Sequence, residues 1–432
     1  MNYAQSMDFI EEASKRGSIL GLESMTLLLD YLGNPQDELD FIHIAGTNGK
    51  GSVLAYLSSI LQAAGYRTGR YSSPSVYSYC EKFQIDQVPV SKQRIAKYMT
   101  RIQDAMNRIE ADGLVLPTVF EIETAAAFLY FKEKKCDIVI LETGMGGSTD
   151  ATNVIRNTKI SVITPIGMDH MEWLGEDLEK ISEKKAGIIK QGCITVSAVQ
   201  DESVMNVIEK KCLSLNVPLI QSNPELVTGA KYGLGKQKFS YGTYQNISIQ
   251  MSGIYQIDNA VLALDTVTAL RKAGYHIEDS AVREGMNQAA WPGRFEIISK
   301  NPYFIVDGAH NKAGAKRLAQ SLQYYFSGKK IIYIFGVFAD KEYPEILKET
   351  IDLADCVITV ATPQNVRAMP AYDLACEVKK YHRNVTAADS LEEAVEMSRL
   401  LADTDSVIVA FGTLSFIGKI TQIVQNNKKS GS

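Results

Sequence analysis

The sequence predicts an α/β protein of two domains, each built around a mostly parallel sheet. Three observations carry that reading. Short apolar runs rich in β-branched residues alternate with stretches of helical periodicity. One such run, 39–45 (LDFIHIA), leads into a glycine-rich turn, GTNGKGS at 46–52, and then into apolar positions at helical spacing. The alternation stops at a stretch carrying Pro and Gly, 289–302 (AAWPGRFEIISKNP), and starts afresh beyond it.

Taken in order, the N-terminus MNYAQSMDFIEEASKRG has acidic residues and no basic start followed by an apolar core, so it is not a secretory signal and a cytoplasmic location is expected. From Ser52 onward Val53, Leu57, Ile60, Leu61 and Ala64 recur at helical spacing, which completes a unit of strand, glycine loop and helix. A helical stretch, 118–135, precedes the strand CDIVILE (136–142), and ISVITPI (160–166) reads as a further buried parallel strand. Residues 236–252 (KQKFSYGTYQNISIQMS) alternate polar and apolar, which predicts an antiparallel ribbon at the edge of the first domain. Beyond the linker, strands at FIVDG, KIIYIFGV, CVITVAT and SVIVAFG alternate with helices beginning near Asn311, Tyr343, Ala371 and Leu391. That is the order of a second doubly wound sheet, without any G-x-G-x-x-G. The tail NNKKSGS is expected to be unstructured.

Composition narrows the classes of function. With 432 residues the chain is too long for one ordinary core and comfortable for two. The 45% hydrophobic and 22% charged fractions are those of a globular protein, and apolar runs such as VITPIG are too short to cross a bilayer, so no membrane association is expected. A net charge of -5 provides no basic field for a phosphate backbone, which argues against nucleic acid as a partner. Six cysteines without C-x-x-C spacing argue against a zinc ribbon, a redox pair or a disulfide framework; most should be buried and reduced.

Several short motifs carry chemistry. Glycines 46, 49 and 51 with Lys50 and Ser52 lie between a strand and a helix, where backbone N–H groups and the positive helix end converge on one spot suited to a polyphosphate. That reading is favoured over a plain tight turn and over a dinucleotide fingerprint, whose spacing fails. LETGMGGSTDATN (141–153) sets Glu142 at a strand end before a polar glycine loop, and GMDHMEWLG (167–175) sets Asp169 and His170 just past the next strand. Strand-end carboxylates on such sheets face the ligand crevice, so metal binding is one reading there and ordinary hydrogen bonding the other. In SEKKAGII (182–189), Lys184 and Lys185 form either a solvated helix face or a pair of which one turns inward. VDGAHN (306–311) puts Asp307 and His310 at a strand end of the second domain, as a structural turn or as part of an interdomain cleft.

GTNGKGS, SSP, LETGMGGSTDATN, GMDHMEWLG, EKKAGIIK, YQIDNA, WPGRFE, VDGAHN, FADKEY and NVRAMP, in this order, resemble the folylpolyglutamate synthase and dihydrofolate synthase family, which belongs with the Mur ligases. The resemblance implies an N-terminal P-loop ATPase domain of Mur-ligase type, 1–294, and a smaller C-terminal Rossmann-like α/β domain, 295–432. It implies an ATP-dependent amide ligase that adds L-glutamate to the γ-carboxylate of tetrahydrofolate through an acyl phosphate, with ATP and magnesium as cofactors and a monomeric chain. Gly46, Thr47, Asn48, Gly49, Lys50, Gly51 and Ser52 would hold the ATP phosphates, with Asn259 on the adenine side and Arg294 reaching a phosphate. Ser73, Glu142 and His170 would be magnesium ligands, and Lys185 a second-metal ligand once carbamylated, which requires a neutral amine. Asp307 and His310 would close on nucleotide and glutamate, and Thr413 would lie near the incoming glutamate.

Departures from the family pattern cluster in SSPSVYSYCEKF (72–83), where Ser75, Ser78 and Cys80 stand for a usual His, Arg and Asn. Lys184 stands where the family has an acidic residue, and Ser148 and Thr149 replace an Arg-Leu pair frequent in bifunctional members. Glutamate chain extension is therefore favoured, with joining of glutamate to dihydropteroate as an additional activity. The rival readings are a Mur-type ligase acting on another carboxylate and a nucleotide-binding protein without turnover.

Overall fold

In a computed structural model, residues 1–429 other than Ser18 and Leu20 are described. They divide into two compact units, the first of Met1–Val227, Tyr241–Ile247 and Asp258–Ala289, the second of Thr228–Ser240, Ser248–Ile257 and the chain from Ala290 onward.

The first unit is built on Phe41–Ala45 (β1), Thr68–Tyr71 (β2), Phe83–Ile85 (β3), Val88–Pro89 (β4), Ile138–Glu142 (β5), Thr158–Ile163 (β6), Ile194–Ser197 (β7) and Leu219–Gln221 (β8). They form one sheet in the order β4-β3-β2-β5-β1-β6-β7-β8. Six strands are parallel, and β3 and β4 add an antiparallel edge. All five residues of β1 are buried, so it reads as a continuous apolar run instead of an alternation. The chain leaves β1 for β2 on one side and reaches β6 on the other, which makes the carboxyl end of β1 a switch point where a crevice opens.

The helix after β1 runs Lys50–Ala63, two residues earlier than the apolar spacing predicts, because Gly49 at φ 92 turns the chain directly into it. It packs against Asp279–Gln288, and a Cβ on Gly285 would lie 2.4 Å from the Ile60 Cα, so the glycine sets the separation of the two helices. Helix Val119–Glu133 starts with a capping box of Thr118 and Glu121 and buries Phe128 and Phe131 in the same apolar cluster as Phe41 and Leu141. A second cluster gathers Ile163, Ile181, Ile188 and Val204.

The expected ribbon has a third strand: Val227–Lys231 (β9), Gln237–Tyr241 (β10) and Tyr244–Ile249 (β11) pair in the order β11-β10-β9. Its residues are divided between the two units, so it is not an appendage of the first alone.

The second unit carries Glu296–Lys300 (β12), Tyr303–Asp307 (β13), Ile331–Phe335 (β14), Cys356–Thr359 (β15), Val385–Ala387 (β16) and Val407–Phe411 (β17), in the order β12-β13-β17-β14-β15-β16. Only β12 is antiparallel. Helices begin at Lys312, Tyr343, Ala371 and Leu391, as the periodicity predicts. The last helix, Leu414–Lys429, overturns part of the expected tail. Buried Ile417, Ile420 and Val424 anchor it, it runs through the polar NNKK, and the final three tail residues lie outside the described residues. Among the described residues no helix is long and apolar enough to cross a membrane. Four of the six cysteines are buried, and none is in a disulfide.

Candidate functional site

Four adjacent parallel strands of the first unit, β2, β5, β1 and β6, end together. Ile44 of β1 is level with Glu142 of β5, Ala45 with Ile163 of β6, and Tyr71 of β2 with Leu141 of β5. The segments that begin there hold Gly46–Ser52, Ser73, Glu142, and Asp169 with His170. The parallel register therefore gathers the carboxyl-end loops predicted for the first domain into one region.

The glycine loop is held by the segment after β6. The amides of Thr47 and Asn48 donate to the Pro165 carbonyl at 3.0 and 3.3 Å, and the Thr47 hydroxyl sits 3.0 Å from both the amide and the carbonyl of Gly167. Gly46 has to be glycine, since a Cβ there would lie 1.9 Å from the Thr164 Oγ1. At Gly49 a Cβ would lie 2.7 Å from the Oδ1 of Asn259, which places the predicted adenine-side residue against the loop. Gly51 and Ser52 are buried in the first turn of the helix, whose N-terminal N–H groups point along the axis toward the loop and whose dipole favours an anion.

Two lysines meet at one acceptor. Lys50 Nζ donates to the Gly46 carbonyl at 3.1 Å and to the Thr47 carbonyl at 3.3 Å, and Lys185 Nζ donates to the same Gly46 carbonyl at 2.9 Å. Lys185 is 4% exposed, whereas Lys184 is half-buried, so the adjacent lysines do point differently. Burial, reinforced by the Lys50 cation, pulls the Lys185 amine down to about 7, with Asp169 and Asp150 opposing.

Lys185 is placed by the loop after β5. The Ser148 amide donates to the Lys184 carbonyl at 2.7 Å, and a Cβ on Gly147 would come within 2.8 Å of the carbonyls of both lysines. The Asn153 amide group donates to the carbonyls of Ser148 and Gly187 at 3.2 Å each. The glycines of GMGGSTDATN thus allow a close approach of backbone to helix end, in addition to any role toward a ligand.

Of the predicted metal ligands, Glu142 is 7% exposed at its strand end, Ser73 is half-buried in the segment after β2, and His170 is partly exposed with φ 51. The His170 amide donates to Asp169 Oδ1 at 3.0 Å, and its Nε2 lies 3.8 Å from the same oxygen. Among the described residues no three His, Cys, Asp or Glu side chains gather into a metal cage. A single buried carboxylate and a hydroxyl beside a phosphate loop nevertheless fit magnesium, which takes one or two protein oxygens and completes its shell with phosphate and water. Burial draws the Arg70 guanidinium of β2 down to about 10 against the pull of Glu81 and Glu142, so a buried cation already faces that strand end.

The segment carrying Ser73 is internally tied. The amides of Val76 and Tyr77 donate to Glu81 Oε2 at 3.3 and 3.1 Å, the Ser78 Oγ accepts from the Cys80 amide at 3.3 Å, and Lys82 pairs with Glu123 at 2.6 Å. Ser78 and Cys80, the departures from the family pattern, are therefore part of a locally capped turn.

In the second unit Asp307 ends β13 and accepts from three donors. Its Oδ2 accepts from the Phe295 amide at 2.7 Å and the Tyr255 hydroxyl at 3.2 Å, and its Oδ1 from the Ala309 amide at 2.8 Å. Burial raises its pKa, with Arg294 and these donors pulling the other way. His310 donates from Nδ1 to the Gly308 carbonyl at 2.8 Å. Thr413 follows β17, is 5% exposed, and accepts from the Ser415 amide at 3.3 Å. Asp307, His310, Arg294 and Thr413 thus share the carboxyl end of the second sheet.

Sequence reasoning missed Thr164 and Pro165, which seat the glycine loop, Arg70, and the buried His43. His43 lies within the apolar run of β1, and nothing in its flanking residues distinguishes it from a core position.

The comparisons with known proteins agree with this geometry. Residues 44–267 match the Mur ligase middle domain and residues 293–414 the Mur ligase glutamate ligase domain. A "Dihydrofolate synthase/folylpolyglutamate synthase" of Bacillus subtilis is 34% identical over 97% of this chain and 98% of its own length. The Mycobacterium tuberculosis folylpolyglutamate synthase, solved with ADP and AMPPCP, superposes with a TM-score of 0.90 at 31% identity, covering 98% of this chain and 99% of that one. A solved structure described as an FPGS–AMPPCP–folate complex superposes at 0.85 with 27% identity, covering 98% of this chain and 100% of its own.

Proposed function

The chain belongs to the folylpolyglutamate synthase and dihydrofolate synthase family of Mur ligases, and from that premise we propose how it works: it is an ATP-dependent ligase that joins L-glutamate to the γ-carboxylate of a reduced folate. The γ-phosphoryl group of ATP passes to the folate carboxylate, giving ADP and an acyl phosphate. The glutamate amine then attacks the activated carbonyl carbon, a proton leaves the amine, and phosphate departs with the electrons of the C–O bond.

One observation carries this reading. Two lysine amines converge on the carbonyl of Gly46, and only Lys50 belongs to the phosphate loop. Lys50 and the loop amides neutralise charge developing on the transferred phosphoryl group. Lys185, drawn to about 7, presents a neutral amine that can add carbon dioxide and become a carboxylate. Glu142 with Ser73 and His170, and the carbamate of Lys185, would hold magnesium, which supplies charge neutralisation across the phosphate oxygens.

Asn259 is assigned to the adenine side of ATP and Arg294 to a phosphate. Asp307 positions Arg294 and the 308–310 turn, His310 presents Nε2 to the nucleotide or glutamate, and Thr413 faces the incoming glutamate. A functional division at 294/295 follows from the same reading. Ser148 and Thr149 favour extension of glutamate chains.

The test is a panel in which purified protein, ATP, magnesium and L-glutamate are incubated with tetrahydrofolate, dihydropteroate or a UDP-muramyl peptide, with adduct mass and phosphate release as readouts. Adduct with tetrahydrofolate supports the proposal, and adduct with dihydropteroate as well makes the enzyme bifunctional. Adduct with the muramyl peptide alone, or no substrate-dependent phosphate with any of them, overturns it.

A further inference from the structure

The loop that places Lys185 is anchored to the floor of the first sheet by a buried polar chain. His43 of β1 is fully buried, and its Nε2 lies 2.8 Å from the Thr152 Oγ1, which lies 2.5 Å from Asp150 Oδ1. Asp150 caps the short turn Ala151–Val154 by accepting from the Thr152 amide at 3.0 Å, and its other oxygen accepts from the Met145 amide at 2.8 Å. Thr152 is fully buried and Asp150 is 5% exposed.

The direction of each hydrogen bond follows from what each group can do. Burial pushes the Asp150 carboxyl up, but the Thr152 hydroxyl and the amides of Met145, Thr152 and Gly144 oppose that shift, and a group surrounded by donors is held as a carboxylate, which only accepts. The single proton of Thr152 Oγ1 therefore goes to Asp150, and the hydroxyl oxygen accepts from His43 Nε2–H. That leaves His43 Nδ1 bare, and it has no hydrogen-bond partner among the described residues. A buried imidazole with one satisfied N–H and one bare nitrogen is neutral, and burial beside the Lys190 cation pulls its pKa to about 3.

We infer that His43 and Thr152 are positioning residues for the ligase reaction: they lock Asp150, which holds the loop between Glu142 and the Lys185 helix in its working conformation. Residues 144, 146 and 147 of that loop are glycines, so its backbone has many alternatives to exclude. The Met145 amide pinned by Asp150 and the Ser148 amide on the Lys184 carbonyl bracket Gly146 and Gly147. One strand thus controls both lysine environments, because β1 bears His43 and continues directly into Gly46. The inference rests on the ligase reading only for its activity arm.

The experiment uses the full chain and the variants Thr152→Val, which keeps the shape without the hydroxyl, Thr152→Ser, which keeps the hydroxyl, and His43→Leu. Steady-state rates with ATP, magnesium, glutamate and tetrahydrofolate are measured beside ligand-free melting curves. Thr152→Val is expected to lower kcat tenfold or more while the KM for ATP stays within about threefold, and Thr152→Ser to recover most of the rate. His43→Leu combined with Thr152→Val should lose no more than the worse single variant, since the residues act as one chain. Selective ¹⁵N-histidine spectroscopy should find His43 neutral with its proton on Nε2 between pH 5 and 8. A wild-type kcat for Thr152→Val, losses that multiply in the double variant, or a proton on Nδ1 would each overturn the inference. If wild-type protein ligates no glutamate to folate, the functional reading fails, and the histidine spectrum still decides the chain's geometry.

Discussion

Replacing Lys185 by methionine should stabilise the ligand-free chain near neutral pH, even though it removes a residue assigned to catalysis. The side chain is 4% exposed and its amine is drawn from 10.5 to about 7, first by burial and then by Lys50. At about 1.4 kcal/mol per pH unit, that displacement corresponds to a cost of roughly 5 kcal/mol when the amine is charged. Methionine fills a similar volume but gives up the hydrogen bond to Gly46, worth about 1 kcal/mol, so a net gain of roughly 2–4 kcal/mol is expected. The advantage is largest below pH 7 and is used up between about pH 8.5 and 10, above which the wild-type lysine is the more stable. Below 7 both folded and unfolded chains carry the proton and the cost is complete. Between about 7 and 10.5 the unfolded chain holds a proton that the folded chain has lost, so the stability of the wild-type protein rises with pH and the advantage of Lys185→Met shrinks, by up to about 1.4 kcal/mol per pH unit. Lys190, lowered by burial to about 8, titrates in both proteins and cancels from the difference. Urea unfolding in carbon-dioxide-free buffer at pH 6.5, 8 and 9.5 measures this. Parallel pH profiles, or a methionine variant less stable than wild type at pH 6.5, would refute the reasoning.

Gly49→Ala, at φ 92 and with the new methyl 2.7 Å from Asn259 Oδ1, should raise the KM for ATP about tenfold or more; a KM within twofold of wild type would show that the loop is not the nucleotide site. Glu142→Gln should lose about a hundredfold or more in turnover that added magnesium does not restore, because a neutral amide at that strand end binds the cation poorly; recovery at high magnesium would remove Glu142 from the metal site. Asp307→Asn turns an NH₂ toward amide or hydroxyl donors that the carboxylate now accepts from, so the variant should lose about 1–3 kcal/mol. A melting temperature equal to wild type would show that this carboxylate is not structurally engaged.

The legibility of the fold depended on strand composition. FIHIA, IVILE and IIYIF are buried throughout and apolar apart from His43 and Glu142, and runs of that kind stand out. β2 is TGRY, with a glycine whose Cβ would lie 2.8 Å from the Phe131 ring and an arginine that faces two glutamates; both choices answer to distant neighbours and leave no local signal. β7 and β8, four and three residues long, are too short to show a periodicity. The last helix, Leu414–Lys429, is not predicted at all, and the polar composition of NNKK makes its end read as tail despite the spacing of Ile417, Ile420 and Val424. For the candidate site, the glycine loop, the lysine pair and the strand-end acids were visible because their spacing is local. The partnership of His43 with Thr152 spans 109 residues, and only the parallel register of β1 beside β5 brings the two together.

The Gly46 carbonyl that both lysines share makes this loop a proton counter. With the amine drawn down to about 7, a polyphosphate bound beside it as proposed would favour the charged form, so nucleotide binding would draw protons from the buffer. Once carbon dioxide has added to Lys185, that proton has already gone and the same binding event draws none. The heat of nucleotide binding, compared in buffers of different ionisation enthalpy, therefore reports which chemical form of the lysine the nucleotide met, before any substrate carboxylate is present.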